Sequence, residues 1–153
     1  MPDIVAMGEC MVELYADEPV ARASVFHRSY GGDTLNTLVA AARLGSTTRY
    51  ITRVGSDPFT PYLLEAWRRE GVDTSTARQV VGPNGLYIIS LLPGGEREFA
   101  YYRGGSAAST LIIRFPARRS VETKNEDHVV RMVSHGQVLS VRTDVDAAQG
   151  GHA

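Results

Sequence analysis

Residues 31–45 read GGDTLNTLVAAARLG, and this stretch decides the fold predicted for the chain. Two glycines are followed by apolar residues that recur at the helical spacing i, i+3, i+4 and i+7: Leu35, Leu38, Val39 and Ala42. Asp33 or Thr34 can cap the start of this helix, and Gly45 stands where a glycine commonly ends one. The stretch therefore predicts an amphipathic helix that is entered through a glycine pair.

The segments around this helix alternate between strand and helix patterns. Three of them have strand character: residues 4–7, 11–15 and 49–54. Asp57-Pro58 predicts a second helix, with Asp57 as its N-cap and Pro58 in the first helical position, and Gly71 is expected to end it. The order strand–strand–helix–strand–helix predicts an α/β fold built on an open, mostly parallel sheet with packed helices.

Residues 86–103 predict a β-hairpin. Two strand-like runs, 86–92 and 97–103, are joined by residues 93–96, which read PGGE. Both faces of the second run mix aromatic rings with polar groups. A hairpin that only covered a core would separate apolar from polar side chains more cleanly. We therefore predict a small sheet with one face turned to a ligand.

The glycine pair is the first candidate site. Gly31 and Gly32 precede a helix N-terminus, where free backbone N–H groups can hold an anion or a polyol oxygen, and glycine allows close approach to the backbone. Asp33 and Asn36 would add hydrogen-bonding side chains there. An ordinary loop followed by a helix cap is the alternative interpretation, because short motifs also occur by chance.

The hairpin supplies the second candidate site. Tyr87, Tyr101 and Tyr102 offer stacking surfaces, and the guanidinium of Arg103 can pair bidentately with a carboxylate. Cross-strand aromatic packing beside a solvated arginine is the alternative. Glu9 follows a predicted strand end, where side chains of α/β proteins often face the ligand crevice.

Composition excludes several classes of function. The chain has 153 residues and a net charge of −1, which gives no electrostatic basis for binding nucleic acid or an acidic membrane. A lone Cys10 cannot form an internal disulfide, and the start of the chain does not resemble a secretory signal, so a cytoplasmic location is expected. His128 and His135 lack the spacing of metal ligands. Phosphate-loop, dinucleotide-binding and nucleophile-elbow motifs are absent from the sequence.

Four segments resemble the amino-terminal half of the ribokinase-like (PfkB-type) carbohydrate kinases. They are residues 8–14 (GECMVEL), 31–37 (GGDTLNT), 53–59 (RVGSDPF) and 70–75 (EGVDTS). Within that family, residues 8–10 (GEC), 85–87 (GLY) and 101–108 (YYRGGSAA) are most similar to the 2-keto-3-deoxygluconate kinases. The resemblance covers about residues 3–109, in order and at family-like spacing.

The resemblance implies a ribokinase-like α/β fold with a small β lid, and runs 86–92 and 97–103 would be lid strands. It implies that the segment beginning at Gly31 contacts sugar hydroxyls, through Gly32, Asp33 and Asn36. The acid end of the substrate would be bound by side chains of the lid: Tyr87, Tyr101 and Arg103, with Tyr102 beside them. Glu9 stands where many relatives place a sugar-binding acidic residue. The implied reaction transfers the γ-phosphoryl group of ATP to 2-keto-3-deoxygluconate, assisted by Mg²⁺.

Residues 110–153 depart from the family pattern. Phe115 is the only aromatic residue after position 110, and nothing there matches the Gly-Ala-Gly-Asp motif that supplies the catalytic base and anion hole in the family. We therefore expect residues 1–109 to be the incomplete amino-terminal half of a kinase domain, and residues 110–153 to be a tail that is frameshifted or poorly ordered. No catalytic residue or metal ligand is assigned. The alternative function is an inactive sugar-acid-binding module, or a homodimerisation module that uses the lid strands.

Overall fold

The structure, a computed structural model, describes residues 1–92 and 94–111 together with the backbone of residues 129–134 and 137–142. In chain order the elements are β1 (Ile4–Met7), β2 (Met11–Tyr15), β3 (His27–Gly31), α1 (Asp33–Arg43), β4 (Thr48–Val54), α2 (Thr60–Arg69), β5 (Val72–Asp73), β6 (Ala77–Gln79), β7 (Leu86–Leu91), β8 (Arg97–Tyr102), a 3₁₀ turn (Ala108–Thr110), β9 (Val129–Ser134) and β10 (Gln137–Arg142). None of the helices in the described part is long and apolar enough to cross a bilayer.

A parallel sheet forms the base of the fold. Strand β4 lies between β1 on one side and β5 on the other, and β6 also pairs with β4. Alternate residues of β4 are buried, as a half-covered strand requires: Thr48, Tyr50, Thr52 and Val54. The prediction of a parallel sheet with packed helices is confirmed for these strands.

Both helices pack their apolar faces into one core. Leu35 and Leu38 of α1 and Leu63 and Trp67 of α2 are completely buried. The Trp67 ring meets the Tyr50 ring edge-on, with the ring centroids 5.4 Å apart. Burying a side chain of this size typically stabilises a fold by roughly 1.5–3 kcal/mol. This core fixes the helices on the sheet and, with them, the start of α1.

A second sheet, here called the lid sheet, has the strand order β3-β2-β7-β8. Strand β2 pairs in parallel with β7, and the outer pairs β2–β3 and β7–β8 are antiparallel. The predicted hairpin is therefore present as β7–β8, although Pro93 of its predicted turn lies outside the described residues. The inner end of the lid sheet packs on the core through Val12, while β8 is exposed along its length.

Three sequence-based expectations about helix starts and strands are wrong. Neither Asp33 nor Thr34 caps α1, because the N-cap is Gly32 and no side chain bonds there. The second helix begins at Thr60 rather than at Pro58, because the chain first makes a tight turn in which the Asp57 carbonyl accepts the N–H of Thr60 at 3.2 Å and its carboxylate accepts the N–H of Phe59 at 3.0 Å. Strand β2 belongs to the lid sheet and not to the parallel sheet.

The ends of both helices follow the prediction, whereas some strands were not foreseen. Gly45 and Gly71 follow α1 and α2 with φ of 96° and 82°, a conformation that favours glycine. Strands β3, β5 and β6 were not predicted from the sequence. Strand β3 is exposed over its first two residues and carries no alternation of apolar and polar side chains.

Most of the predicted tail, residues 110–153, lies outside the described residues, and so do His128 and His135. Within it, β9 and β10 form an antiparallel hairpin with Gln137 opposite Ser134 and Arg142 opposite Val129. The backbone of β9 lies beside β1.

The buried side chain of Asn84, just before β7 of the lid sheet, forms hydrogen bonds to the loop before α2. Its Oδ1 accepts the N–H of Gly55 at 2.9 Å, and its Nδ2 donates to Asp57 Oδ1 at 2.7 Å and to Thr60 Oγ1 at 2.8 Å. The Asn84 backbone N–H donates to Asp57 Oδ2 at 2.7 Å. Because every polar atom of this side chain is bonded, the network holds Gly85 and the start of β7 in one position.

Replacing Asn84 with alanine is expected to lower the free energy of unfolding by about 2–3 kcal/mol, because buried partners are left without hydrogen bonds. Urea unfolding followed by the fluorescence of Trp67, the single tryptophan, measures the change. Gln79→Ala, at an exposed position of β6, is the control and should change stability little. Equal stability of the two variants would contradict the role given to Asn84.

Acid should weaken the fold partly through Asp73. Its carboxylate accepts the backbone N–H of Ser75 at 2.8 Å and Arg49 Nε at 2.7 Å, and these bonds lower the pKa of Asp73 to about 2. Since an unfolded aspartate titrates near ~3.9, the stabilisation is complete above that pH and is lost as the pH falls towards 2. Asp73→Asn should therefore be less stable than the wild type at pH 7, with the gap closing below about pH 3 in urea titrations. A gap that is independent of pH would contradict this account.

Candidate functional site

Gly32, between the end of β3 and the start of α1, lies in direct contact with the backbone of Glu9 and Cys10. A Cβ atom at Gly32 would lie 2.3 Å from the carbonyl oxygen of Glu9 and 3.0 Å from the Cα of Cys10. Gly32 has extended backbone, with φ of 175°, so it is lack of space and not backbone strain that requires glycine. This contact places the first turn of α1 next to the connection between β1 and β2.

The first turn of α1 presents two polar side chains at this contact. Asp33 and Asn36 are both exposed, and the N–H of Asn36 makes the first helical hydrogen bond to the carbonyl of Gly32 at 2.8 Å. The N–H groups that precede Asn36 have no partner within the helix and point out of its end. The geometry can therefore offer both backbone donors and side-chain oxygens to a polyol.

Glu9 connects three segments. Its Oε1 accepts a hydrogen bond from Ser106 Oγ at 2.8 Å, and its Oε2 lies 3.6 Å from Arg103 Nη1. Gly85 fits against it so closely that a Cβ there would lie 2.8 Å from Glu9 Oε1. The carboxylate thus holds the residues that follow β8 against the β1–β2 connection, and it partly neutralises the Arg103 guanidinium.

Arg103 keeps room for a further anion. Half of its side chain is exposed, and the 3.6 Å separation from Glu9 is longer than a hydrogen bond. A guanidinium has five N–H donors, so one loosely paired carboxylate leaves most of them available. Of the predicted acid-binding residues, Arg103 is therefore the one that carries a positive charge with unused donors.

One face of the lid sheet carries a row of stacked rings. Tyr87 is 93% buried, at 7% exposure, and its ring centroid lies 5.7 Å from that of Tyr101 and 6.4 Å from that of Phe99. Tyr101 is 58% exposed. Tyr102 alternates to the opposite face, opposite Leu86, and is 61% exposed. The structure thus brings Tyr87 and Tyr101 together and separates Tyr102 from them.

Two residues of this region were missed by the sequence analysis. Ser106 is 1% exposed and bonded to Glu9, and Glu13 accepts a hydrogen bond from the Tyr87 hydroxyl. Both residues lie inside segments that resemble the family, 8–14 and 101–108, but nothing local assigns them a role, because each is defined by a partner more than 70 positions away. The alternation of β2 does place Glu13 on the face that carries Met11 and Tyr15, which was the one available signal.

A cavity of about 380 Å³ opens on the same lid face, towards the β7–β8 turn. It is lined by Glu13, Tyr15, Ala16, Asp17, Ser29, Ile89, Leu91 and Arg97. Among its lining residues, Glu13 accepts a hydrogen bond from the predicted site residue Tyr87. The cavity therefore lies next to Tyr87, and the predicted site residues are not among the residues that line it.

Neither the thiol of Cys10 nor a cluster of metal-ligating side chains supplies reactive chemistry in the described residues. Burial raises the pKa of the Cys10 thiol far above its ordinary value, so this cysteine stays protonated. Within residues 1–92 and 94–111, no group of three histidine, cysteine, aspartate or glutamate side chains is arranged to hold a metal ion. Beside Glu9, the structure offers a polar surface with an available guanidinium, that of Arg103, and exposed hydrogen-bonding groups.

Comparison with known proteins identifies the family. The profile of the "pfkB family carbohydrate kinase" matches residues 1–125. The 2-dehydro-3-deoxygluconokinase of Escherichia coli K12 is 42% identical over 110 residues, which are 69% of this chain and 34% of that protein. The chain thus spans about a third of the length of the curated relatives it matches.

Solved structures give the same result. The PfkB protein from Polaromonas superposes with a TM-score of 0.68 at 32% identity, over 72% of this chain and 38% of that one. An uncharacterized sugar kinase from Pyrococcus horikoshii, in complex with ATP, gives a TM-score of 0.62 at 28% identity, over 68% and 35%. The expected resemblance is confirmed: the chain belongs to the pfkB family of carbohydrate kinases and forms part of their ribokinase-like fold.

Proposed function

We propose that this chain binds the acceptor sugar acid of a carbohydrate kinase, and that this acid is 2-keto-3-deoxygluconate. The observation that carries the proposal is the half-exposed Arg103 guanidinium, held beside Glu9 at the edge of the lid sheet. A carboxylate that enters there can form charge-assisted hydrogen bonds with donors that Glu9 leaves unused. The kinases named for this substrate among the relatives support the choice.

The remaining contacts follow from the position of the glycine pair. With its carboxylate at Arg103, the sugar acid would extend its hydroxyl groups towards Gly31, Gly32, Asp33 and Asn36. The stacked ring of Tyr101 would cover its carbon chain, and Tyr102 would flank the entrance from the other face. Glu9 would act mainly through Ser106, which donates to its Oε1, and through Arg103, whose Nη1 lies 3.6 Å from its Oε2.

The reaction proposed for the kinase is phosphoryl transfer from ATP, assisted by Mg²⁺. The terminal hydroxyl oxygen of the sugar acid would form a bond to the γ-phosphorus, the bond from that phosphorus to the ADP oxygen would break, and the hydroxyl proton would pass to a base. The described residues contain no cluster that fits Mg²⁺, so neither the metal, the nucleotide nor the base is assigned to them. This part of the chain positions the acceptor.

A second candidate function is an inactive sugar-acid-binding or dimerisation module. It is favoured by the apolar surface of the lid sheet, where Phe99 and Tyr101 are largely exposed and β8 is an edge strand. Incubating the purified chain with ATP, Mg²⁺ and the sugar acid separates the two candidates. Phosphorylated sugar indicates a kinase, whereas sugar binding without transfer indicates the module.

Removing the guanidinium should weaken binding of the acid selectively. Arg103→Ala is expected to weaken binding of 2-keto-3-deoxygluconate by about 2–3 kcal/mol in titration calorimetry, on the scale of lost charge-assisted contacts. Binding of the neutral analogue, in which a hydroxymethyl group replaces the carboxylate, should be unchanged. Arg97→Ala, at the other end of β8, is the matched control. Equal losses for the acid and the neutral analogue would contradict the assignment of the carboxylate to Arg103.

Pairing of two lid sheets should produce a homodimer that depends on exposed rings. Phe99→Lys is expected to shift the chain towards monomer in sedimentation velocity, because a charge would be buried in an apolar contact. Val81→Lys is the control, since Val81 is exposed outside the lid sheet. A wild-type chain that sediments as a monomer at all concentrations would rule out this dimer.

A further inference from the structure

Tyr87 and Glu13 stand opposite each other on neighbouring strands of the lid sheet. They are register partners in the parallel pair β2–β7, and the Tyr87 hydroxyl donates a hydrogen bond to Glu13 Oε2. The same hydroxyl oxygen lies against Gly31 on the next strand, where a Cβ would approach it to 2.3 Å. The Tyr87 ring therefore spans β2 and ends at the start of the glycine segment.

Neighbouring residues pack against the Tyr87 ring and fix its orientation. Tyr101 and Phe99 stack on its other side, and the absence of a side chain at Gly31 provides the space for the hydroxyl. The titratable groups that face the hydroxyl are Glu13, Cys10 and Tyr101. Burial, followed by the hydrogen bond to Glu13, raises the pKa of Tyr87 above its ordinary value. The hydroxyl thus stays protonated and directed at Glu13.

This direction fixes what the hydroxyl can do for a ligand. A phenol has one proton and two lone pairs, and an ionised carboxylate only accepts hydrogen bonds. Because the Tyr87 hydroxyl donates its one hydrogen bond to Glu13, its oxygen can only accept a hydrogen bond from a ligand. A ligand hydroxyl satisfies it, whereas a ligand carboxylate would bring acceptor against acceptor, beside the negative charge of Glu13.

We propose that Glu13 determines specificity. Because it accepts the hydrogen bond of the Tyr87 hydroxyl, the Tyr87 oxygen can accept a hydrogen bond from a sugar hydroxyl, and a carboxylate is excluded from that position. The carboxylate of the acid is then left to Arg103 alone. This inference rests on the proposed function, because it assigns groups of the same bound sugar acid. It replaces the expectation that Tyr87 binds the acid end.

Binding measurements distinguish a hydroxyl contact from a carboxylate contact. Tyr87→Phe should weaken binding of 2-keto-3-deoxygluconate and of its neutral analogue by the same factor, about 3- to 10-fold, the scale of one neutral hydrogen bond. Glu13→Gln should weaken the neutral analogue by a similar factor, and the double variant should be no weaker than either single variant, because the two residues act as one unit. Glu98→Gln, exposed on the opposite lid face, is the control.

A titration without ligand tests the pair itself. In protein with ¹³Cζ-labelled tyrosine, Tyr87→Phe identifies the Tyr87 resonance. In the wild type this tyrosine should remain protonated at about pH 11, where an ordinary tyrosine with a pKa of ~10 is mostly ionised. In Glu13→Gln its titration should begin at least about one pH unit lower, whereas Glu98→Gln should leave it unchanged.

The outcomes separate this inference from the proposed function. A Tyr87→Phe loss confined to the acid overturns the role of Glu13, even if Arg103 behaves as expected. An unchanged Tyr87 titration in Glu13→Gln overturns it as well. If the wild type binds neither ligand, the proposed function and the specificity assignment both fail, and the titration then decides only whether Glu13 holds the Tyr87 proton.

Discussion

The contact of Gly32 with the backbone of Glu9 and Cys10 is the constraint on which the site depends. A Cβ at Gly32 would lie 2.3 Å from the Glu9 carbonyl oxygen, so any other residue would push α1 away from the β1–β2 connection. This contact places the start of α1 beside Glu9, and Glu9 in turn holds Ser106 and Arg103. Sheet, helix and lid therefore meet at one backbone contact.

The carboxylates of Glu9 and Glu13 have different hydrogen-bonding and charged partners in this region. Glu9 is paired with a guanidinium and a buried serine, so it sets where positive charge is available. Glu13 accepts the proton of the Tyr87 hydroxyl, so in the proposed complex the Tyr87 oxygen would be available only as an acceptor. Under the proposal, they would give the surface one position that attracts a carboxylate and another that prefers a hydroxyl. This division fits a sugar acid better than a neutral sugar or a simple anion.

The sequence allowed prediction of the elements whose patterns are local. The helix over Leu35, Leu38 and Val39, its terminal Gly45 and the β7–β8 hairpin all follow from spacing or turn residues. The predicted start of α2 was wrong because a tight turn, closed by the bond from Thr60 N–H to the Asp57 carbonyl, precedes the helix, and the Asp57 carboxylate also bonds to Asn84. Strand β3 and the partners Ser106 and Glu13 could not be predicted, since strand pairing and burial join residues that are distant in the sequence.

The most direct test of this account is a ¹H–¹⁵N NMR titration of the chain with 2-keto-3-deoxygluconate, including the Arg side-chain Nε–H region. We expect the largest shifts on the amides of residues 31–36 and on Arg103 Nε–H, with small changes in the core strand β4. Shifts that leave both Arg103 and the glycine segment unchanged, or no shifts at millimolar ligand, would contradict it.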